Sequence, residues 1–202
     1  MDQPNDLEGT PKQVFDRLHS GNQRWTNAEI ELDLKRQAFT SESFVDGQDP
    51  DIVIITCSDS RVIPEFIFDA GIGDLFVIRV AGNVMSHEVV ASIEFAILEL
   101  DAAIVMILGH QNCGAVQSKM KVINSPPIEG SLSPSMTTLL ERVKLAADER
   151  SDILDHVKAN VKYQRQELLQ MSTVIAEKQA KKELGVLSGV YLIDSRKVEI
   201  IY

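Results

Sequence analysis

Cys57, His110 and Cys113 are the residues whose types and spacing best support chemistry: two thiols and one imidazole make a donor set that suits zinc and leaves one tetrahedral position for water. The spacing His110-Gln111-Asn112-Cys113 lets two ligands come from one turn, so Cys57 must arrive from a neighbouring element. No other cysteine occurs in the 202 residues. On count alone, two buried thiols or one disulfide account for them as well. A lone H-x-x-C is a weak signal, which the flanking Gly109 and Gly114 strengthen by permitting tight turns around a small ion. His19, His87 and His156 fall on helical stretches or their ends and read as surface or capping residues.

A second polar cluster, Cys57-Ser58-Asp59-Ser60-Arg61, follows directly on an apolar run. Asp59 and Arg61 alone would make an exposed ion pair worth about 0 to 1 kcal/mol. Beside a metal the same pair acquires a use, because an Asp gripped by a bidentate Arg stays ionised and can orient the metal's hydroxide. Two rival motifs fail on their residues. A cysteine phosphatase loop requires an arginine six positions after the cysteine, where Ile63 stands. A dinucleotide fingerprint at Gly71-Ile72-Gly73-Asp74-Leu75-Phe76 lacks its last glycine and enters a strand rather than a helix.

The elements that must position these groups can be read from period and punctuation. Asp51 to Thr56, Leu75 to Val80 and Ala102 to Leu108 are short apolar runs suited to strands buried on both faces. Helical spacing marks Pro11 to Trp25, a stretch from the cap Ser86 through Leu100, and Gly114 to Val122. Thr137 to Met171 reads as one or two helices, and Ser172 to Leu184 as another stopped by Gly185. Val186 to Ile193 and Val198 to Tyr202 look like a terminal hairpin. This alternation predicts an α/β fold with a mainly parallel central sheet flanked by helices, an N-terminal helical arm over residues 1–47 and C-terminal strands. Ligands of such sheets bind beyond the carboxyl ends of the strands, and the unusual residues all fall there. The N-terminal helix serves equally as a cover for its own core or as an arm for a partner chain.

Bulk composition bounds the rest. At 202 residues, with 44% hydrophobic and 25% charged residues, the expectation is one folded domain over 1–202. A net charge of −10 argues against nucleic acid and anionic membrane surfaces as partners. No apolar run reaches the roughly 18 residues of a membrane span, and the first twenty residues do not resemble a leader. The expected setting is the cytoplasm, or an organelle or the exterior if a leader has been removed.

The ordered blocks Cys57 to Glu65, Gly73 to Asn83, Ser92 to Ala96 and Leu108 to Val116 resemble the beta-class carbonic anhydrases, with weaker similarity from Gly21-Asn22-Gln23-Arg24-Trp25 to the terminal strands. The resemblance implies reversible hydration of carbon dioxide to bicarbonate and a proton at one zinc per chain, held by Cys57, His110 and Cys113, with Asp59 and Arg61 as the catalytic dyad. It also implies substrate contacts at Gln48, Phe76, Ala81 and Gly114, and a homodimer or a dimer-based tetramer or octamer whose cleft draws on both chains. Phe95 stands where many members have Tyr, and Val80 where Asn is frequent. Ile54 replaces the Trp of the bicarbonate-regulated branch, which implies the plant-like branch and no such regulation. Two alternatives share the metal set: a carbon disulfide or carbonyl sulfide hydrolase, and a noncatalytic zinc-bound structural protein.

Overall fold

The computed structural model describes residues 7–30, 45, 47–128, 130–148 and 151–201. The apolar, β-branched runs form strands β1 (Ile52–Thr56), β2 (Leu75–Arg79), β3 (Ile104–His110) and β4 (Gly185–Tyr191), with the short β5 (Val198–Ile200) after them. They make one sheet in the order β2-β1-β3-β4-β5, parallel except for the final β4–β5 pair. The helices are α1 (Gly9–Thr26), α2 (Pro64–Ile67), α3 (His87–Glu99), α4 (Gly114–Asn124), α5 (Pro134–Arg142), α6 (Ile153–Met171) and α7 (Thr173–Ala180). The expected α/β architecture is therefore present.

Side chains alternate along each strand, which divides the core into two layers. Val53, Ile55, Val105, Ile107, Val186 and Val190 pack with α3 and α6 through Val90, Ile93, Val157 and Val161. Ile52, Ile54, Ile104, Met106, Leu108 and Leu187 pack on the other side with Val14, Phe15 and Leu18 of α1 and Ile67 of α2. Helix α1 thus covers its own chain's sheet. The block Gly21 to Trp25 makes that docking possible. A Cβ added at Gly21 would lie 1.8 Å from the carbonyl oxygen of Phe68, so only glycine lets α1 come this close. Beside it, buried Asn22 donates to the carbonyls of Ile67 and Arg196 and accepts from the Val198 amide. Residues 1–6, 31–44 and 46 of the expected arm lie outside the described residues.

Several boundaries differ from the sequence expectation. The third strand begins at Ile104 rather than Ala102 and continues through Gly109 and His110, carrying the imidazole on a strand rather than a loop. Helix α7 ends at Ala180, and the chain turns through Lys182 at φ +60°. Gly185 is consequently the first residue of β4 and not a helix stop. A Cβ there would meet Leu7 Cδ2 at 3.0 Å and Ile104 Cγ1 at 3.3 Å, so the glycine answers to close packing. The Thr137–Met171 stretch resolves into α5 and α6, capped by Ser133 and Asp152.

Candidate metal centre

Parallel pairing of β1 with β3, in the register Thr56 to Leu108, brings Cys57 and His110 to the same end of the sheet. The Thr56 hydroxyl fixes this junction by donating to the Leu108 carbonyl at 2.9 Å, both groups being buried. Two residues beyond β3, Asn112 takes a left-handed conformation at φ +57°, which returns the chain and seats Cys113 before α4. The turn assigned from sequence to Gly109 and Gly114 is therefore made by Asn112, whose short amide side chain tolerates that region. Gly109 lies in the strand, where a Cβ would come within 2.5 Å of Val161 Cγ2, so its role is to let α6 approach β3. Gly114 is exposed at the first position of α4, where an added Cβ would meet only open space.

The donor atoms of Cys57, His110 and Cys113 lie within 4.8 Å of one another, and all three residues are buried. The two sulfurs are 4.0 Å apart, and both thiols are free. His110 Nδ1 lies 3.0 Å from the Gln111 carbonyl, to which it donates. That bond leaves Nε2 as the acceptor nitrogen, and among the described residues Nε2 is buried without a hydrogen-bond partner. A buried imidazole lone pair beside two thiols fits a soft or borderline cation such as zinc. The thiols are poised for it. Cys57 is drawn down to about 4, first by the hydrogen bond from the Cys113 thiol, against burial, and further by His110 and the Gly82 amide. Cys113 is pushed up, first by the same hydrogen bond and then by burial. A metal held by both sulfurs would require both thiols to give up their protons.

Asp59 and Arg61 are paired beside the three donors. Arg61 Nε and its backbone amide donate to Asp59 Oδ1 at 2.9 and 3.0 Å, and Nη2 donates to Oδ2 at 2.8 Å. The guanidinium, through these bonds first, holds the Asp59 carboxyl well below the usual carboxylate range. Oδ1 accepts twice and Oδ2 once, so the spare lone pair is on Oδ2. That oxygen is 3.8 Å from His110 Nε2. Asp59 is only 17% exposed while Arg61 is 53% exposed, so the pair spans the boundary between the buried cluster and solvent.

The remaining expected residues are more dispersed. Phe76 is half-buried on β2, its ring 6.4 Å from that of Phe95, and Ala81 is half-buried in the short 3-10 turn Ala81–Asn83. Gln48 is exposed in the segment before β1. Ile54 is fully buried in β1. His156, read from sequence as a surface or capping residue, is instead buried on α6 and accepts the Ala146 amide. Arg79 was not singled out from sequence, yet it donates to the carbonyls of Asp59 at 2.7 Å and Cys57 at 3.4 Å, holding the backbone of the dyad loop. Its signal was a cation at the end of an apolar strand.

Comparison with known proteins places this geometry among relatives. A family model described as carbonic anhydrase matches residues 52–198. The chain is 35% identical over 153 residues to carbonic anhydrase 2 of Mycobacterium tuberculosis, covering 73% of this chain and 72% of that protein. It is 31% identical over 160 residues to a carbonic anhydrase of Mycolicibacterium smegmatis, covering 78% of each. The solved structure of the beta-carbonic anhydrase CcaA superimposes with a TM-score of 0.69 at 27% identity, over 92% of this chain and 94% of that one. That of the beta-carbonic anhydrase CafA of Aspergillus fumigatus does so with a TM-score of 0.66 at 26% identity, over 93% and 90%.

Proposed function

This chain belongs to the carbonic anhydrase family, in its beta class, and from that premise we propose that it hydrates carbon dioxide at one zinc ion held by Cys57, His110 and Cys113, with Asp59 and Arg61 as the working dyad. The observation that carries the residue assignment is the meeting of three buried donors within 4.8 Å beside a carboxylate already gripped by arginine. When bound, such an ion lowers the pKa of a coordinated water and supplies a nucleophile near neutral pH. The net reaction adds water to carbon dioxide and yields bicarbonate and a proton.

The chain's own residues do the rest. Asp59 Oδ2 accepts a hydrogen of the reacting water and so directs the oxygen lone pair away from itself, toward the substrate. Arg61 keeps that carboxylate ionised and in one orientation, and Arg79 holds the loop carrying it. Phe76 and Ala81 supply apolar surface for a substrate without charge, and Gly114 keeps the rim of the site open. Gln48 is the residue we assign to donate to bicarbonate, on its position nine residues before Cys57. Ile54 fits the plant-like branch. A reducing compartment such as the cytoplasm suits two thiols that must stay unpaired. Among the described residues no helix is long and apolar enough to cross a membrane.

The working unit is a dimer. Strand β2 is an edge of the sheet, with half-buried apolar side chains, and a bare edge of this kind invites pairing or cover. Beside it on α3, Phe95 and Leu98 are 48% and 52% exposed and three residues apart, hence on one face. The tetrameric beta-carbonic anhydrases of Sordaria macrospora support further assembly of such dimers. Light scattering is expected to give a dimer or a multiple of it, and Phe95→Asp to shift it toward monomer. A fully active wild-type monomer would remove this reading.

Zinc analysis with stopped-flow hydration tests the function directly. About one zinc per chain and fast hydration are expected. Carbon disulfide or carbonyl sulfide turned over in preference to carbon dioxide would move the chain to the sulfur-substrate reading. Zinc without turnover of any of the three would leave a structural role.

A further inference from the structure

Helix α6 carries polar side chains on the face it buries. His156, Asn160 and Gln164 follow one another at four-residue steps and so form one stripe, running among Val157, Val161 and Leu168. Asn160 and Gln164 are each only 1% exposed. Buried amides in a core of this kind are retained only with partners made, and every side-chain nitrogen and oxygen of these two has at least one. Asn160 Nδ2 donates to the Gly82 carbonyl at 2.9 Å. Its Oδ1 accepts from the Lys144 amide at 3.0 Å and from Gln164 Nε2 at 3.1 Å, which fixes which way the Asn160 amide faces. Gln164 Oε1 in turn accepts the Met85 amide at 2.8 Å, and Nε2 also donates to the Arg142 carbonyl at 2.8 Å.

What these bonds clamp is the turn beside the ligand cluster. Gly82 and Asn83 are both left-handed, at φ +68° and +45°. In that conformation the Gly82 amide points at the Cys57 sulfur, 3.4 Å away. Any slackening of the Gly82 carbonyl would let the turn rotate and the amide leave the sulfur.

We propose that Asn160, oriented by Gln164, is a positioning residue that aims the Gly82 N–H at the Cys57 sulfur and thereby sets how firmly that sulfur holds the metal. The inference rests on the metal site proposed above. A thiolate that accepts an N–H bond is less open to protonation, and its lone pairs lie lower in energy. Groups of this outer kind change metal affinity by about 10–100-fold when removed. His156 belongs to the same stripe but its ring accepts the Ala146 amide, whereas the bond to the Gly82 carbonyl comes from Asn160. It separates positioning from mere support of the helix.

The test uses the zinc-loaded protein, and the same protein with cobalt exchanged for zinc, as wild type and as Asn160→Asp, Gln164→Met and His156→Leu. Asn160→Asp keeps size and acceptor but turns a carboxylate on the Gly82 carbonyl. It is expected to release zinc to a chromophoric chelator about 10-fold faster than wild type or more. Its thiolate-to-cobalt charge-transfer band should move to longer wavelength, as expected for a sulfur that has lost a hydrogen bond. Gln164→Met, the milder change, should move both readouts in the same direction and keeps the test open if Asn160→Asp does not fold. His156→Leu should lower the melting temperature with both readouts unmoved. Wild-type release and band position in both the Asn160→Asp and Gln164→Met proteins, or an equal displacement in His156→Leu, would overturn the inference. A wild-type protein that takes up no metal and shows no thiolate band would instead overturn the metal site on which it rests.

Discussion

Replacing Cys113 with alanine is expected to remove the metal and the hydration activity together. Cys113 is buried, its sulfur 4.0 Å from that of Cys57, and the carboxylate beside the cluster, Asp59, is held away from a ligand's place by Arg61. With one thiolate gone the site keeps one thiolate and one imidazole, below the three protein ligands of catalytic zinc sites. The loss should exceed the roughly 10–100-fold that outer substitutions cost in affinity or activity. Without the ion, water returns toward its bulk pKa of about 15.7, so hydration should fall to the buffer rate. Removing a small buried side chain leaves the rest of the sheet intact, and circular dichroism should remain that of the wild type. Cys57→Ala should match it. Full metal content in either variant would refute the ligand assignment.

Arg61→Ala is expected to keep zinc and yet lose hydration by about 100-fold in kcat/KM, the scale on which a small misplacement at a reacting centre acts. Arg61 makes two side-chain bonds and one backbone bond to Asp59, and only the backbone bond survives the substitution. Asp59 then rises toward the ordinary carboxylate range, still ionised from pH 7 to 9, so the loss reflects geometry rather than protonation. Freed from the guanidinium, a carboxylate whose Oδ2 already lies 3.8 Å from His110 Nε2 can turn onto the metal and block it. Asp59→Asn should also keep zinc and lose activity, but without that blockade, since an amide is the poorer ligand. The stability sign is the usual one for a depressed carboxylate: the pairing helps above an unfolded value near 3.9 and fades as pH falls through the folded value. The melting difference between Arg61→Ala and wild type should therefore narrow in acid. Unchanged kcat/KM across pH 7 to 9 would reduce the dyad to an exposed ion pair.

The sequence by itself determined the elements and the chemical inventory. Uninterrupted β-branched runs such as Ile52 to Ile55 have nowhere to go but a sheet covered on both faces, and helical spacing between them imposes parallel crossovers. Chain order then places Cys57, His110 and Cys113 at strand ends, which is why the donor set was legible. Three-dimensional packing decided what depends on contacts between distant residues. The register of β1 on β3 brings the ligands within 4.8 Å, and the α6–β3 approach explains Gly109 better than any turn does. Local pattern cannot show that Arg79 reaches across to two carbonyls of the dyad loop, or that His156 and Asn160 point inward. A polar residue on a helix reads as solvated until the partner that satisfies it is seen. For Asn160 that partner is 78 residues away, on the turn that faces the Cys57 sulfur.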